Sequence, residues 1–223
     1  MIRADLRCGT IALHEFISDA AYPCVGAKAA IGQGTLAVFQ AGDMTSAQDD
    51  RAIHRALTHA ARRTAADLGN FRSFAVLFGG PVMASEAEFE DAMWDRLQAL
   101  ADWDAQLGFS YDERVDRDPV SPHFALSLGG KGYFAIGLHP RASRPARRFR
   151  YPAIVLNQHA QFEQLRDSGQ YEKMRATILS RDLRLAGSVN PMLSRHGETS
   201  AARQYSGRAV DDSWRCPFRD PRA

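Results

Sequence analysis

Phe124-Ala125-Leu126-Ser127-Leu128 and Tyr133-Phe134-Ala135-Ile136-Gly137-Leu138, separated by Gly129-Gly130, decide the fold. Two runs of aromatic and aliphatic residues broken by paired glycines read as a β-hairpin, because the glycines accept the tight turn and the flanking residues suit a pleated surface. The hairpin delivers His139-Pro140 to a strand end. A basic loop through Arg148 then leads to a short strand, Ala153-Ile154-Val155-Leu156.

Upstream, Thr35-Leu36-Ala37-Val38-Phe39 reads as a short strand and Phe71 to Phe78, ending at Gly79-Gly80-Pro81, as a buried one. Residues Ser46 to Leu68 read as a helix with Ile53, Leu57, Ala60 and Ala61 on one face, Ser46 as N-cap and Gly69 as the stop. A second helix runs from Ser85 to about Leu107, with Phe89, Met93, Trp94, Leu97 and Leu100 at helical spacing. Tyr22 to Ala30 is a loop-to-helix signal, Asp112 to Pro122 a polar loop. A helix begins near Asn157, a longer one spans Tyr171 to Leu185, and the remainder is mostly loop. Elements alternate with short connections and no linker divides them. The expectation is a single α+β domain over residues 1–223, with a mixed or largely antiparallel sheet and packed helices.

The composition, 45% hydrophobic and 24% charged in 223 residues, is that of an ordinary globular chain. No run approaches the roughly 18 apolar residues of a membrane span. Asp5, His14 and Glu15 interrupt any signal-peptide core, so a cytoplasmic location is expected. Three cysteines, Cys8, Cys24 and Cys216, are too few for a disulfide framework and lack the spacing of a zinc site. The net charge is +2, yet residues 139–223 carry 16 basic against 8 acidic residues, so that part should attract anions. Its arginines are interleaved with Gly, Pro and apolar residues, and no nucleic-acid-reading motif accompanies them.

Several ordered blocks carry a resemblance. They are Tyr22-Pro-Cys-Val-Gly-Ala-Lys28, Phe124-Ala-Leu-Ser-Leu-Gly-Gly130, Gly137-Leu-His-Pro-Arg-Ala-Ser-Arg-Pro-Ala-Arg-Arg148, Asn157-Gln-His-Ala-Gln-Phe162, Gly187-Ser-Val-Asn-Pro-Met-Leu193, His196-Gly197, Gln204-Tyr-Ser-Gly-Arg208 and Cys216-Pro-Phe218. In order and spacing the chain resembles the YqcI/YcgG-like family, also called the guanitoxin-biosynthesis haem-dependent hydroxylase family. The resemblance implies a b-type haem that activates oxygen or peroxide to hydroxylate a guanidine nitrogen of arginine or an arginine-derived substrate. It implies as partners a small guanidine substrate and an electron donor or peroxide, with neither nucleic acid nor membrane, and it is compatible with a homodimer. The chain has Ala201 where many relatives carry an acidic residue.

An axial histidine must present a neutral nitrogen from a fixed position. His139, at a strand end before Pro140, and His159, in the first turn of a helix, compete for the proximal role. His196 suits a distal or substrate-orienting place, with Tyr205 as a second catalytic candidate. Cys216, before Pro217, is the rival ligand because a thiolate promotes oxygen–oxygen cleavage; its plainer reading, like that of Cys24, is a buried structural thiol. Arg144, Arg147 and Arg148 could grip haem propionates through paired hydrogen bonds, or form a solvated basic loop. Arg208 is a candidate for a substrate carboxylate and Asn190 for a neutral hydrogen bond. Glu163, Asp182 and Glu198 are the carboxylates on offer to a guanidinium. The competing readings are a haem sensor or carrier without turnover and a basic nucleic-acid-binding module.

Overall fold

The structure, a computed structural model, describes residues 2–64, 71–195 and 197–223. Its elements in order are α1 (Ile2–Ser18), α2 (Val25–Gly32), β1 (Leu36–Asp43), α3 (Asp50–Thr64), β2 (Ser73–Gly80), α4 (Glu86–Gln106), β3 (Leu126–Leu128), β4 (Lys131–Leu138), β5 (Ala153–Gln158), α5 (His159–Asp167), α6 (Tyr171–Ala186) and α7 (Ala202–Tyr205). The strands form one sheet in the order β1-β2-β5-β4-β3. β1 and β2 run parallel and the other neighbours antiparallel, so the α+β domain holds a mixed sheet.

The hairpin forms where the sequence places it. Leu128 pairs with Lys131 across Gly129 and Gly130, whose φ angles are +59° and +70°. Two consecutive positive φ values suit the twist of a two-residue hairpin turn and are nearly closed to residues with a Cβ. At Gly137 the constraint is space: a Cβ would lie 2.5 Å from a ring carbon of Phe89.

Alternation along the strands gives the sheet two unlike faces. One receives Phe74, Val76, Tyr133, Ala135, Ile154 and Leu156, packed against Ile53 and Leu57 of α3 and Phe89, Met93 and Leu97 of α4. The other receives Ala75, Leu77, Ala153 and Val155, covered by Leu13 and Ile17 of α1 and by α2. Helix α1 has no counterpart in the sequence reading: its polar residues mask a narrow apolar stripe that closes on the sheet. The helix expected from Ser46 starts with a 3-10 turn at Ala47–Asp49 and continues as α3; Leu68 and Gly69 lie outside the described residues. Ser46 and Ser85 both act as N-caps, accepting from Gln48 N and Glu88 N.

Arg147 locks the segment after α6 to the sheet. Its guanidinium donates to the carbonyls of Gly137 (3.0 Å), Tyr205 (3.1 Å) and Gln204 (3.0 Å). Its own carbonyl accepts from His139 N at 3.0 Å. Removing the guanidinium strands three carbonyls at once. Arg147→Met should therefore destabilise the protein by about 3 kcal/mol, read as a lower urea midpoint. Arg148→Met, at an exposed side chain bonded to two loop carbonyls, should shift that midpoint much less.

Candidate functional site

A cavity of about 230 Å³ opens on the α2 face of the sheet, between the start of α2, helices α5 and α6, and the segment after α6. The register explains it. Ser73, Asn157 and Phe134 stand in one row across β2, β5 and β4. From α5, Phe162 meets Phe134 edge-on, ring centroids 6.3 Å apart. Phe162, Met174, Ile178 and Leu179 line the cavity, and none of them is fully buried. Of α6's 16 residues only Asp182 is buried, so its apolar stripe faces a void.

The cavity's chemistry is one-sided. Phe124, Phe134 and Ile136 build an apolar wall; Ser73 Oγ donates to Asn157 Oδ1 at 2.6 Å on the floor. Arg166, Arg175 and Arg195 line it, as do Cys24 and Ala201, and among its described lining residues there is no Asp or Glu. His159 is the one described histidine on the wall. Burial, reinforced by Arg166, lowers its pKa to about 4, so the imidazole is neutral near pH 7. Behind it, Glu163 Oε1 lies 3.5 Å from Nδ1.

The match of a family model over residues 13–219, described as the YqcI/YcgG family, spans every part of this cavity. The chain belongs to the YqcI/YcgG family. No curated protein and no solved structure matches it significantly.

Within this YqcI/YcgG chain the two competing histidines stand apart. His139 lies on the α4 side, its ring stacked on Phe89 with centroids 4.2 Å apart. Among the described residues its Nδ1 is buried without a hydrogen-bond partner, and burial lowers its pKa to about 4. Cys216 packs against the same α4-side core, and burial pushes its thiol up to about 12, far from a thiolate. Tyr205 is fully buried there and donates to the Tyr133 carbonyl at 3.0 Å. None of these three lines the cavity. His196 lies outside the described residues.

The basic loop does not reach the cavity either. Arg144 pairs with Asp182 and with Ser188, Arg147 holds the three carbonyls described above, and Arg148 donates to the carbonyls of Ala142 and Ser143. The expected propionate clamp is thus a set of internal ties, because backbone acceptors and one buried carboxylate reach these guanidiniums first. Arg208 pairs with buried Glu90, which also accepts from Ser206 Oγ at 2.7 Å. Asn190 closes its own turn by accepting from Met192 N, and Glu198 accepts from Arg195 N. Arg166, Arg175 and Arg195 were missed as site residues. The signal for Arg175 was present: it sits between Met174 and Ile178 on a helix whose apolar stripe has few sheet contacts.

His139 and His159 fix the sign of the acid response. Their unfolded forms take up protons below about pH 6.5 while the folded forms stay neutral to about pH 4. Stability is therefore complete above pH 6.5 and falls as pH drops through that window, by on the order of 2 kcal/mol per histidine at pH 4.5. Urea midpoints at pH 7 and 4.5 measure this, and a His139→Gln, His159→Gln double variant should flatten the difference.

Proposed function

We propose that this YqcI/YcgG chain is a haem-dependent monooxygenase that hydroxylates a guanidine nitrogen of arginine or of an arginine-derived substrate, with His159 as the proximal residue. The observation that carries the reading is a neutral, enclosed imidazole on the wall of an apolar cavity whose other walls present aromatic and aliphatic side chains.

The donor set fits the group. Among the described residues no three His, Cys, Asp or Glu side chains converge as a metal site. A porphyrin brings four nitrogens of its own and would ask the protein for one ligating side chain, which His159 would supply. Its apolar faces suit Phe134, Phe162, Met174 and Ile178, and its carboxylates suit Arg166, Arg175 and Arg195. The cavity is smaller than the roughly 300–1,000 Å³ of typical ligand pockets, so α6 would have to shift outward.

Haem, when bound, supplies an iron able to activate oxygen or peroxide. The chain's part is positional. The apolar walls exclude water, the arginines attract carboxylates, and the Ser73–Asn157 pair on the floor offers neutral hydrogen bonds to a substrate. Reductant or peroxide comes from outside the chain.

The test is a visible spectrum of protein expressed with haem supply, beside His159→Ala, His139→Ala, His196→Ala and Cys216→Ala. A Soret band that collapses only in His159→Ala is expected, followed by hydroxylation of arginine analogues with reductant and oxygen, or with peroxide. Absence of a Soret band in the wild type refutes the reading; a band without turnover favours a haem sensor or carrier.

A further inference from the structure

A second cavity, of about 360 Å³, lies on the opposite face of the sheet beneath the C-terminal half of α3. Its volume falls within the roughly 300–1,000 Å³ of typical ligand pockets. Leu57 and Ala60 of α3, Phe74 of β2 and Leu156 of β5 give it an apolar wall. Tyr133 and Gln158, direct partners in the register of β4 and β5, line it as well. Arg72 and His59 are its basic side chains, and among its described lining residues there is no Asp or Glu.

One group on this wall lacks a counterpart. Tyr133 is 1% exposed, and among the described residues its hydroxyl is buried without a hydrogen-bond partner. Buried Tyr111 and Tyr205, by contrast, donate to the carbonyls of Ala125 at 2.7 Å and Tyr133 at 3.0 Å. Burial raises the Tyr133 pKa well above the usual phenol range, more than neighbouring Gln158 lowers it, so the hydroxyl stays protonated and able to donate. Asp104 and Asp112 raise it further, and each is itself held by a guanidinium, of Arg222 and Arg114. A buried donor with no acceptor is destabilising, and its presence on a cavity wall points to an acceptor that enters from outside the chain.

We infer that the cavity beneath α3 is a second ligand site, which takes a small carboxylic acid with an apolar body. The carboxylate accepts from the Tyr133 hydroxyl, beside the Gln158 amide and the positive charge of Arg72, while the body lies against Leu57, Phe74 and Leu156. A cation meets no counter-charge on that wall, and a purely apolar guest leaves the hydroxyl unanswered. Tyr133, Gln158, Arg72 and His59 do not line the first cavity, so the inference is independent of the haem reading.

The experiment titrates phenylacetate into the full, haem-free chain carrying ¹³C-labelled tyrosine and phenylalanine, followed by NMR, with 2-phenylethylamine as the cationic control. Saturable binding with shifts at Tyr133 and Phe74 is expected. It should weaken roughly tenfold or more in Tyr133→Phe and vanish in Ala60→Phe, which fills the space from α3; the amine should not bind. Without ligand, Tyr133→Phe removes only an unanswered hydroxyl, so its urea midpoint should equal or exceed that of the wild type. A lower midpoint means that the hydroxyl is already satisfied within the chain and overturns the inference. So does a failure of phenylacetate to saturate, undiminished binding in either variant, or equal binding of the amine. Shifts confined to Phe134 and Phe162 would place the acid in the first cavity and refute the second site.

Discussion

A guanidinium enclosed among backbone carbonyls organises this molecule. Arg147 links β4, through Gly137, to the short helix α7, through Gln204 and Tyr205, and the carbonyl of the same residue receives the N–H of His139. Burial opposes its charge and lowers its pKa, while Tyr22, Cys24 and Asp182 raise it. Those groups come from the α2 entry and from α6. A single cation thus sits where the sheet, the α2 side and the segment after α6 meet, and the cavity lies beside that junction.

Each face of the sheet carries a cavity, and the two differ in what surrounds it. On the α4 side, Trp94 neighbours Tyr205, Trp214 and Phe218, while beside α3 the second cavity of about 360 Å³ is lined by Ala56, Leu57, His59, Phe74 and Tyr133. On the other side, α1 and α2 pack densely only over part of the sheet. Packing is dense under α4, whereas the α2 side leaves room for a guest beside α5 and α6. Phe134 and Ile136 look into that room, whereas Tyr133, Ala135 and Gly137, one residue out of step, belong to the packed core.

What sequence could reveal follows from the range of the forces involved. Hairpin 126–138, the caps of α3 and α4 and the strand at 153–156 were legible because paired glycines, serine caps and β-branched runs act within a few residues; β5 runs on through Asn157 and Gln158, where a helix start was expected. Helix α1 was not, because its apolar residues gain meaning only against Leu77 and Val155. The parallel pairing of β1 with β2 is equally non-local. At the site, His159 could not be separated from His139 without knowing which side of the sheet each one faces. The arginines at 144, 147 and 148 looked available because a sequence does not display Asp182 or the carbonyls that engage them.

Asp104 is fully buried and meets His54 Nε2 at 2.5 Å, Gly129 N at 2.6 Å and Arg222 Nη1 at 2.9 Å. Arg222 is 118 positions further along the polymer. Asp104 therefore gathers α3, through His54, the hairpin turn, through Gly129, and the segment around Arg222 on one carboxylate. Losing Arg222 would leave Asp104, fully buried, with one fewer donor, so the far end of the described chain contributes to the interior between α3, α4 and the hairpin.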